Sequence, residues 1–138
     1  MQAQILSLIK SLLRTHGMSV IFITHNLGII AHLCNRVLVM YAGSIVEAAP
    51  VRELFHHTLH PYTQALIKSI PSSHPAGEKL QTIPGLPPDL SQSIAGCPFA
   101  RRCEFVKEEC RNTPLELKEI DKNHASACTR IINGDLTL

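Results

Sequence analysis

The amino-acid sequence predicts an α/β fold in its apolar front part, followed by a small, cysteine-rich and loop-rich unit. Three observations carry this expectation. Up to Glu47 the apolar residues read in the order helix, strand, helix, strand, strand, the pattern of a layered α/β protein with an antiparallel edge. From Ser72 to Gly96 Pro, Gly and Ser recur without a sustained period, as in an extended linker. Four of the five cysteines and seven of the eleven acidic residues lie between Cys97 and Leu138. Residues 1–71, 72–96 and 97–138 are therefore expected to be an α/β part, a Pro-rich linker and a cysteine unit.

Each element has its own signal. Ile5, Leu8, Ile9, Leu12 and Leu13 recur at helical spacing, with Gly17 as the stop signal. The run Val20-Ile-Phe-Ile23 is short, β-branched and apolar throughout, which predicts a parallel strand covered on both faces and ending at Thr24-His25. Asn26 is placed to cap a helix carrying Leu27, Ile29, Ile30 and Leu33. Arg36 to Tyr41 reads as a strand, Ala42-Gly43 as a turn and Ser44 to Glu47 as its hairpin partner. Three strands are few for such a sheet and leave exposed edges, so the front part resembles the end of a larger sheet. Pro50 precedes a short helix, Val51 to His57. His60-Pro61 opens another, with Pro at the first helical position, Tyr62, Leu66 and Ile70 aligned, and a stop at Pro71. Thr113-Pro-Leu-Glu116 has the form of a capping box that starts a further short helix.

Composition excludes several classes. The chain has 138 residues, 45% hydrophobic and 17% charged, which argues for a buried core and against a disordered tail. A net charge of +2 with 4% aromatic residues gives no nucleic-acid footprint. No apolar stretch approaches the ~20 residues of a membrane span, and Met1-Gln-Ala-Gln-Ile has no basic region and cleavage site of a signal peptide. A cytoplasmic chain is expected, with reduced cysteines unless they hold a metal. All eleven acids lie from Glu47 onward, so chemistry that needs a carboxylate cannot come from the front part alone. No Gly-x4-Gly-Lys-Ser/Thr loop is present, and no apolar strand ends in Asp-Glu, which excludes phosphoryl transfer by this sequence by itself.

The remaining candidates are His25, the cysteines and a histidine group. His25 stands at a strand end before a capped helix, where an imidazole can meet a phosphate oxygen or satisfy a nearby backbone group. Cys97-x5-Cys103-x6-Cys110-x17-Cys128 fits a tetrahedral zinc or an iron–sulfur cluster. Disulfides and unrelated thiols remain open, and the lack of a C-x2-C knuckle speaks against a zinc ribbon. Arg101, Arg102, Lys107 and Arg111 stand among these cysteines, able to offset thiolate charge or simply to face solvent. In His56-His57-x2-His60 two histidines could share a helix face as metal ligands, but Pro61 pushes His60 out of helical geometry. Cys34, on an apolar helix face, reads as a small core residue.

Val20-Ile-Phe-Ile-Thr-His-Asn-Leu-Gly-Ile-Ile-Ala and Asn35-Arg-Val-Leu-Val-Met-Tyr-Ala-Gly-Ser-Ile-Val-Glu closely resemble the end of an ABC-transporter ATP-binding subunit. His60-Pro-Tyr-Thr-Gln-Ala-Leu, Ser69-Ile-Pro, Ile83-Pro-Gly, Gly96-Cys-Pro-Phe and Arg102-Cys resemble its oligopeptide/dipeptide (nickel) importer branch. The resemblance runs from Gln2 to about Cys128. It implies the C-terminal part of a P-loop NTPase core and a chain beginning just after the Walker B and D-loop region. His25 would be the switch histidine that contacts the ATP γ-phosphate, although Asn26 stands where the family usually has Asp. It implies a [4Fe-4S] cluster on Cys97, Cys103, Cys110 and Cys128, with zinc as the alternative, and ATP and Mg²⁺ only in the complete subunit. The implied partners are a second ATPase subunit and transmembrane permease subunits, on the inner face of the cell membrane. The chain alone is expected to lack ATPase activity. A reading from another class is an autonomous iron–sulfur or zinc module serving interaction or redox sensing.

Overall fold

The computed structural model describes residues 2–70 and 82–138, so the expected helix stop at Pro71 and the first part of the expected linker lie outside the described residues. The chain divides into two compact units, one up to Asn35 and one from Arg36 onward. Among the described residues no helix is long and apolar enough to cross a membrane.

The first unit holds two helices. Helix α1, Gln2–His16, ends as its spacing predicts: Gly17 takes φ +61° and Met18 N–H returns to the Leu13 carbonyl at 3.2 Å. This closes the last turn with a residue that bears a left-handed conformation at no steric cost. Helix α2, Leu27–Leu33, starts on Asn26, whose Oδ1 accepts from the N–H groups of Gly28 (3.0 Å) and Ile29 (3.2 Å).

The expected strand at Val20–Ile23 does not form. The segment joins no ladder among the described residues, and Ile21 and Ile23 are 92% and 95% exposed. Its β-branched residues suit a pleated surface, but a strand also needs a neighbour's N–H and C=O groups. No described residue provides that neighbour.

The second unit is built on a four-stranded antiparallel sheet of order β1-β2-β4-β3, rather than on three strands around a parallel one. Strands β1, Arg36–Tyr41, and β2, Ser44–Pro50, form the expected hairpin. Its turn residues Ala42 and Gly43 both take positive φ (49° and 81°), as a two-residue hairpin of the favoured twist requires. Along β1 the buried residues alternate as Val37, Val39 and Tyr41, whereas β2 is buried at four successive positions, Val46 to Ala49. A bulge lets this happen: Val39 pairs with Glu47 and Met40 with Ile45, leaving Val46 unpaired with β1. The Val46 carbonyl instead accepts from Ala127 N–H at 2.9 Å.

Helix α3, Val51–His56, follows Pro50 and packs Leu54 against the hairpin. Helix α4, Pro61–Lys68, begins with Pro61 at its first position. Residues 82–96 form neither helix nor strand. A 3₁₀ turn at Ala100–Arg102 and the short helix α5, Glu109–Asn112, lead to a second hairpin, β3, Lys118–Asp121, and β4, His124–Ser126. Asn123 turns that hairpin with φ 63°, and helix α6, Thr129–Ile132, follows.

The capping box at Thr113–Glu116 starts no helix. Thr113 instead ends α5, donating its N–H to the Glu109 carbonyl at 2.9 Å, and Glu116 pairs with Lys118 at 3.1 Å. A cap contributes only about 1 kcal/mol. Here it yields to the ladder that β3 makes with β4. Leu59, Cys128 and Ile131, with Ile120, Leu136 and Leu138 against them, form a core of their own beside this hairpin.

Candidate functional site

Three chain segments meet at an aromatic triangle. The Tyr41 ring, at the end of β1, lies 4.5 Å from Tyr62 on α4 and 5.4 Å from Phe99, and Tyr62 and Phe99 are 5.3 Å apart. Tilted and edge-on pairs of this kind add about 0.5–1.5 kcal/mol each beyond the area they bury. Arg102 locks the same junction from outside. Its Nε and Nη2 donate to the carbonyls of Pro84 and Ile83, both at 2.9 Å, and Nη1 donates to Tyr41 Oη at 3.2 Å. Gly85, at φ +76°, turns the chain directly after those two carbonyls. Burial raises the Tyr62 phenol above its ordinary pKa, with the nearby Tyr41 adding and Arg102 opposing.

The four cysteines of the last segment lie around this junction as free thiols. Burial pushes Cys97 up to about 11, with Cys128, Cys103 and Cys110 adding to the rise. Cys103 is likewise pushed up to about 11 by burial, with Cys128 and Cys110 adding, and Cys128 is raised by burial and by Cys110. Thiolates among the four therefore disfavour one another's ionisation. Backbone N–H groups act in the opposite sense: Phe99 on Cys97, Phe105 on Cys103, and Ile131 and Arg130 on Cys128. The short turns after these three cysteines aim the donors at the sulfurs. Among the described residues no three of His, Cys, Asp or Glu are placed to hold a metal ion.

Two backbone features set the spacing of the thiols. Cys97 N–H donates to the Cys110 carbonyl at 2.8 Å. Gly96 permits this approach, since a Cβ there would stand 2.5 Å from the Cys110 and Arg111 backbone. Of the basic residues among the cysteines, Arg102 is committed to Tyr41, Ile83 and Pro84, and Lys107 to Asp135. Arg101 and Arg111 line a cavity of about 280 Å³ together with Cys97.

His60 connects the junction to the thiols. It is buried, caps α4 by accepting Tyr62 N–H on Nδ1 at 3.1 Å, and places Nε2 4.0 Å from Cys97 Sγ. Burial lowers its pKa to about 3, so the ring is neutral at physiological pH. His56 ends α3 and His57 follows it, so His56 and His60 share no helix face, as Pro61 foretold. The His57 ring instead stands edge-on to His124 at 6.3 Å.

A buried polar network behind the sheet had no signal in the sequence. Glu47 Oε1 accepts from Leu59 N–H at 2.6 Å and from His124 Nε2 at 2.8 Å, with both side chains almost wholly buried. Ser126, paired with Glu47 across β2 and β4, donates its hydroxyl to the Leu59 carbonyl and accepts Cys128 N–H at 3.1 Å. These residues are far apart in sequence, and only the β2–β4 pairing brings them together. Through Ser126 and Cys128, this network reaches the thiols.

At the surface, Lys107 and Arg130 flank Asp135, and Arg130 also donates to the carbonyls of Phe105 (2.9 Å) and Asp135 (2.8 Å). The hydrogen bond from Lys107 holds the Asp135 carboxyl below its ordinary pKa, and Arg130 adds to this. A carboxylate depressed on folding contributes stability above its unfolded pKa and loses it as pH falls through the folded value. Asp135→Asn should therefore remove a small, salt-screened part of the acid-side loss, read as a flatter dependence of the urea midpoint on pH below about 4. An unchanged dependence would remove Asp135 from the account.

In the first unit, His25 is exposed on the turn before α2, and its ring makes no hydrogen bond with a described residue. Thr24 Oγ1 accepts Asn26 N–H at 3.0 Å, and Asn26 caps the helix, so both neighbours of His25 are fixed.

Comparison with known proteins gives this geometry a context. Residues 46–110 match the family described as the oligopeptide/dipeptide transporter, C-terminal region. They are such a region. A Brucella melitensis protein named for peptide import and ATP binding is 47% identical, with 94% of this chain and 40% of the relative covered. The oligopeptide transport ATP-binding protein OppD of Mycobacterium tuberculosis is 44% identical over 94% of this chain and 21% of its own length. OppD of Haemophilus influenzae is 43% identical over 82% of this chain and 35% of its own length. The chain thus spans less than half the length of these relatives. They are ATP-binding proteins of transport, the first of the two readings expected above.

Within the oligopeptide/dipeptide transporter C-terminal region, the motif residues that carried the resemblance now have physical tasks. His60 caps α4 and faces Cys97, while Pro61 starts that helix and Tyr62 enters the aromatic triangle. Ile83 and Pro84 supply carbonyls to Arg102, Gly96 permits the Cys97–Cys110 approach, and Phe99 completes the triangle. Cys128 lies beyond the matched residues, and Cys110 adds to the rise of its pKa.

Proposed function

We propose that the chain acts as the C-terminal part of the ATP-binding subunit of a peptide importer. The observation that carries this reading is 47% identity over nearly the whole chain to a protein named for peptide import and ATP binding. The sequence contains no Walker A loop, so the phosphate grip and Mg²⁺ site come from another segment or polypeptide. In this reading His25 donates to the γ-phosphate when two ATPase subunits close, at the cytoplasmic face of the membrane and against permease subunits. The exposed position of His25, and a ring without a hydrogen-bond partner among the described residues, support the role.

Cys97, Cys103, Cys110 and Cys128 hold a [4Fe-4S] cluster in the same reading. Supporting this are the electrostatic influence of the four thiols on one another and the backbone N–H groups turned toward three of them, a donor set suited to thiolate ligands. Zinc is the alternative occupant of the same four thiolates. When bound, the cluster supplies a cross-link to a segment whose core is small. The residues of the chain do the rest: Gly96 and the Cys97–Cys110 backbone bond set the spacing, and Arg101 and Arg111 lie on the Cys97 side to offset charge.

The test of the ATP-binding reading is turnover by the chain combined with a polypeptide carrying Walker A and Walker B. Activity should appear only in the combination. His25→Ala should lower kcat by about 10²-fold, the usual loss when one donor to developing charge is removed. Full turnover by the variant would remove His25 from the site, and no turnover in any combination would overturn the ATP-binding role.

A further inference from the structure

The loop at 88–96 and the 3₁₀ turn that follows Phe99 wall the cavity of about 280 Å³ that Arg101 and Arg111 share. Asp89 also lines it, so its charged residues are two guanidinium groups and one carboxylate. A guanidinium is charged at any physiological pH and presents five N–H donors in a planar fork that matches a carboxylate. Neither Arg101 nor Arg111 makes a side-chain hydrogen bond or ion pair with a described residue. Their neighbours are fully used: Arg102 donates from all three nitrogens to Pro84, Tyr41 and Ile83, and Arg130 from all three to Phe105 and Asp135.

The backbone adds donors to the same wall. Ala95 N–H and Gly96 N–H have no acceptor among the described residues, and Gly96 is buried. Cys97 N–H, the next in the chain, is taken by the Cys110 carbonyl at 2.8 Å. A buried N–H without an acceptor costs about 1–3 kcal/mol. A ligand oxygen on Gly96 N–H would relieve that cost without displacing any bond.

Asp89 restricts what the arginines can hold. Its Oδ1 accepts Ser91 N–H at 2.9 Å, and this bond holds its carboxyl below the ordinary range, so Asp89 is ionised at neutral pH. A dianion such as inorganic phosphate is repelled by that carboxylate. A zwitterion uses both signs, with its carboxylate on the arginines and its ammonium on Asp89. Pro88, Ile94, Pro98 and Ala100 make the rest of the wall apolar enough for an aliphatic side chain. The volume is at the small end for a ligand site, short of what a nucleotide needs.

We propose that this cavity binds a small zwitterion of amino-acid or dipeptide size, its carboxylate held by Arg101, Arg111 and Gly96 N–H and its ammonium by Asp89. The proposal rests on neither the ATP-binding nor the cluster reading, and it stands or falls separately from both.

The test is isothermal titration calorimetry of the full chain with leucine, the dipeptide Ala-Leu, Ala-Leu amide, N-acetyl-Ala-Leu and inorganic phosphate. Leucine or Ala-Leu should bind at one saturable site, and blocking either end of Ala-Leu should weaken binding at least about tenfold, as loss of one charged hydrogen-bonding group does. Arg101→Gln and Arg111→Gln should each weaken Ala-Leu by a similar factor. All three charged residues are exposed, so these changes leave the core intact, which far-UV circular dichroism checks. Asp89→Asn should weaken Ala-Leu but leave N-acetyl-Ala-Leu as it was or better, a pattern that general damage to the loop would not give. The proposal is overturned if neither leucine nor Ala-Leu binds the folded chain, if the amide binds as well as the free acid, or if phosphate binds as tightly as Ala-Leu. Wild-type affinity in both arginine variants overturns it as well.

Discussion

Glu47→Ala is expected to destabilise the chain by about 3–5 kcal/mol, the range for removing one member of a buried charged or hydrogen-bonded pair. Glu47 is fully buried, and its Oε1 is the shared acceptor for Leu59 N–H and His124 Nε2. Alanine leaves both donors buried without a partner, each at a cost of about 1–3 kcal/mol. It also opens a void between β2 and β4. Glu47→Gln should cost far less, about 1 kcal/mol, because the amide oxygen can still accept both bonds. The second carboxylate oxygen of Glu47 has no partner among the described residues, so little is lost on that side. Urea unfolding followed by far-UV circular dichroism separates the two variants. Equal and small losses for Ala and Gln would show that the network does not hold β4 on β2.

Gly96→Ala is the second large effect, and it acts on the thiols rather than on the sheet. The added Cβ would meet three backbone atoms, Cys110 O, Arg111 C and Arg111 O, all at 2.5 Å. No side chain can swing away to relieve this contact, so the backbone must separate. The bond that yields is the adjacent one from Cys97 N–H to the Cys110 carbonyl. A cost of about 3 kcal/mol, at the upper end for overpacking, is expected. Cys97 and Cys110 should become more reactive toward iodoacetamide, as their sulfurs leave the buried arrangement. Wild-type midpoint and wild-type alkylation rates together would refute the close approach as a determinant of the site.

Much of the local structure was legible because its causes are local. The stop at Gly17, the cap at Asn26, the Ala42-Gly43 turn and the Pro61 helix start each depend on one or two residues and their immediate backbone. The β3–β4 hairpin was not legible. Lys118-Glu-Ile-Asp121 and His124-Ala-Ser126 are polar, with none of the β-branched density that marks a strand. They become strands because β2 offers them an edge. Val20–Ile23 shows the converse, strong strand propensity without a neighbour to pair with among the described residues. The Thr113 capping box failed for a related reason, since the ladder beyond it outweighs one cap.

The candidate residues divide in the same way. His25 and the four cysteines were singled out by residue type and spacing, which the sequence alone displays. Spacing could not show which backbone N–H groups meet the sulfurs, nor that His60 Nε2 lies 4.0 Å from Cys97 Sγ. Glu47, His124 and Ser126 carried no signal at all, being single polar residues in unrelated segments.

By itself, then, the sequence determined the helix ends, the first hairpin, the family resemblance and the set of thiols, because each is written in contiguous residues or fixed spacings. The tertiary structure alone decided which apolar run became a strand, which polar runs joined the sheet, and which buried donor faces which sulfur. Those outcomes depend on partners far away in the chain, whose hydrogen-bonding groups and burial no local pattern encodes.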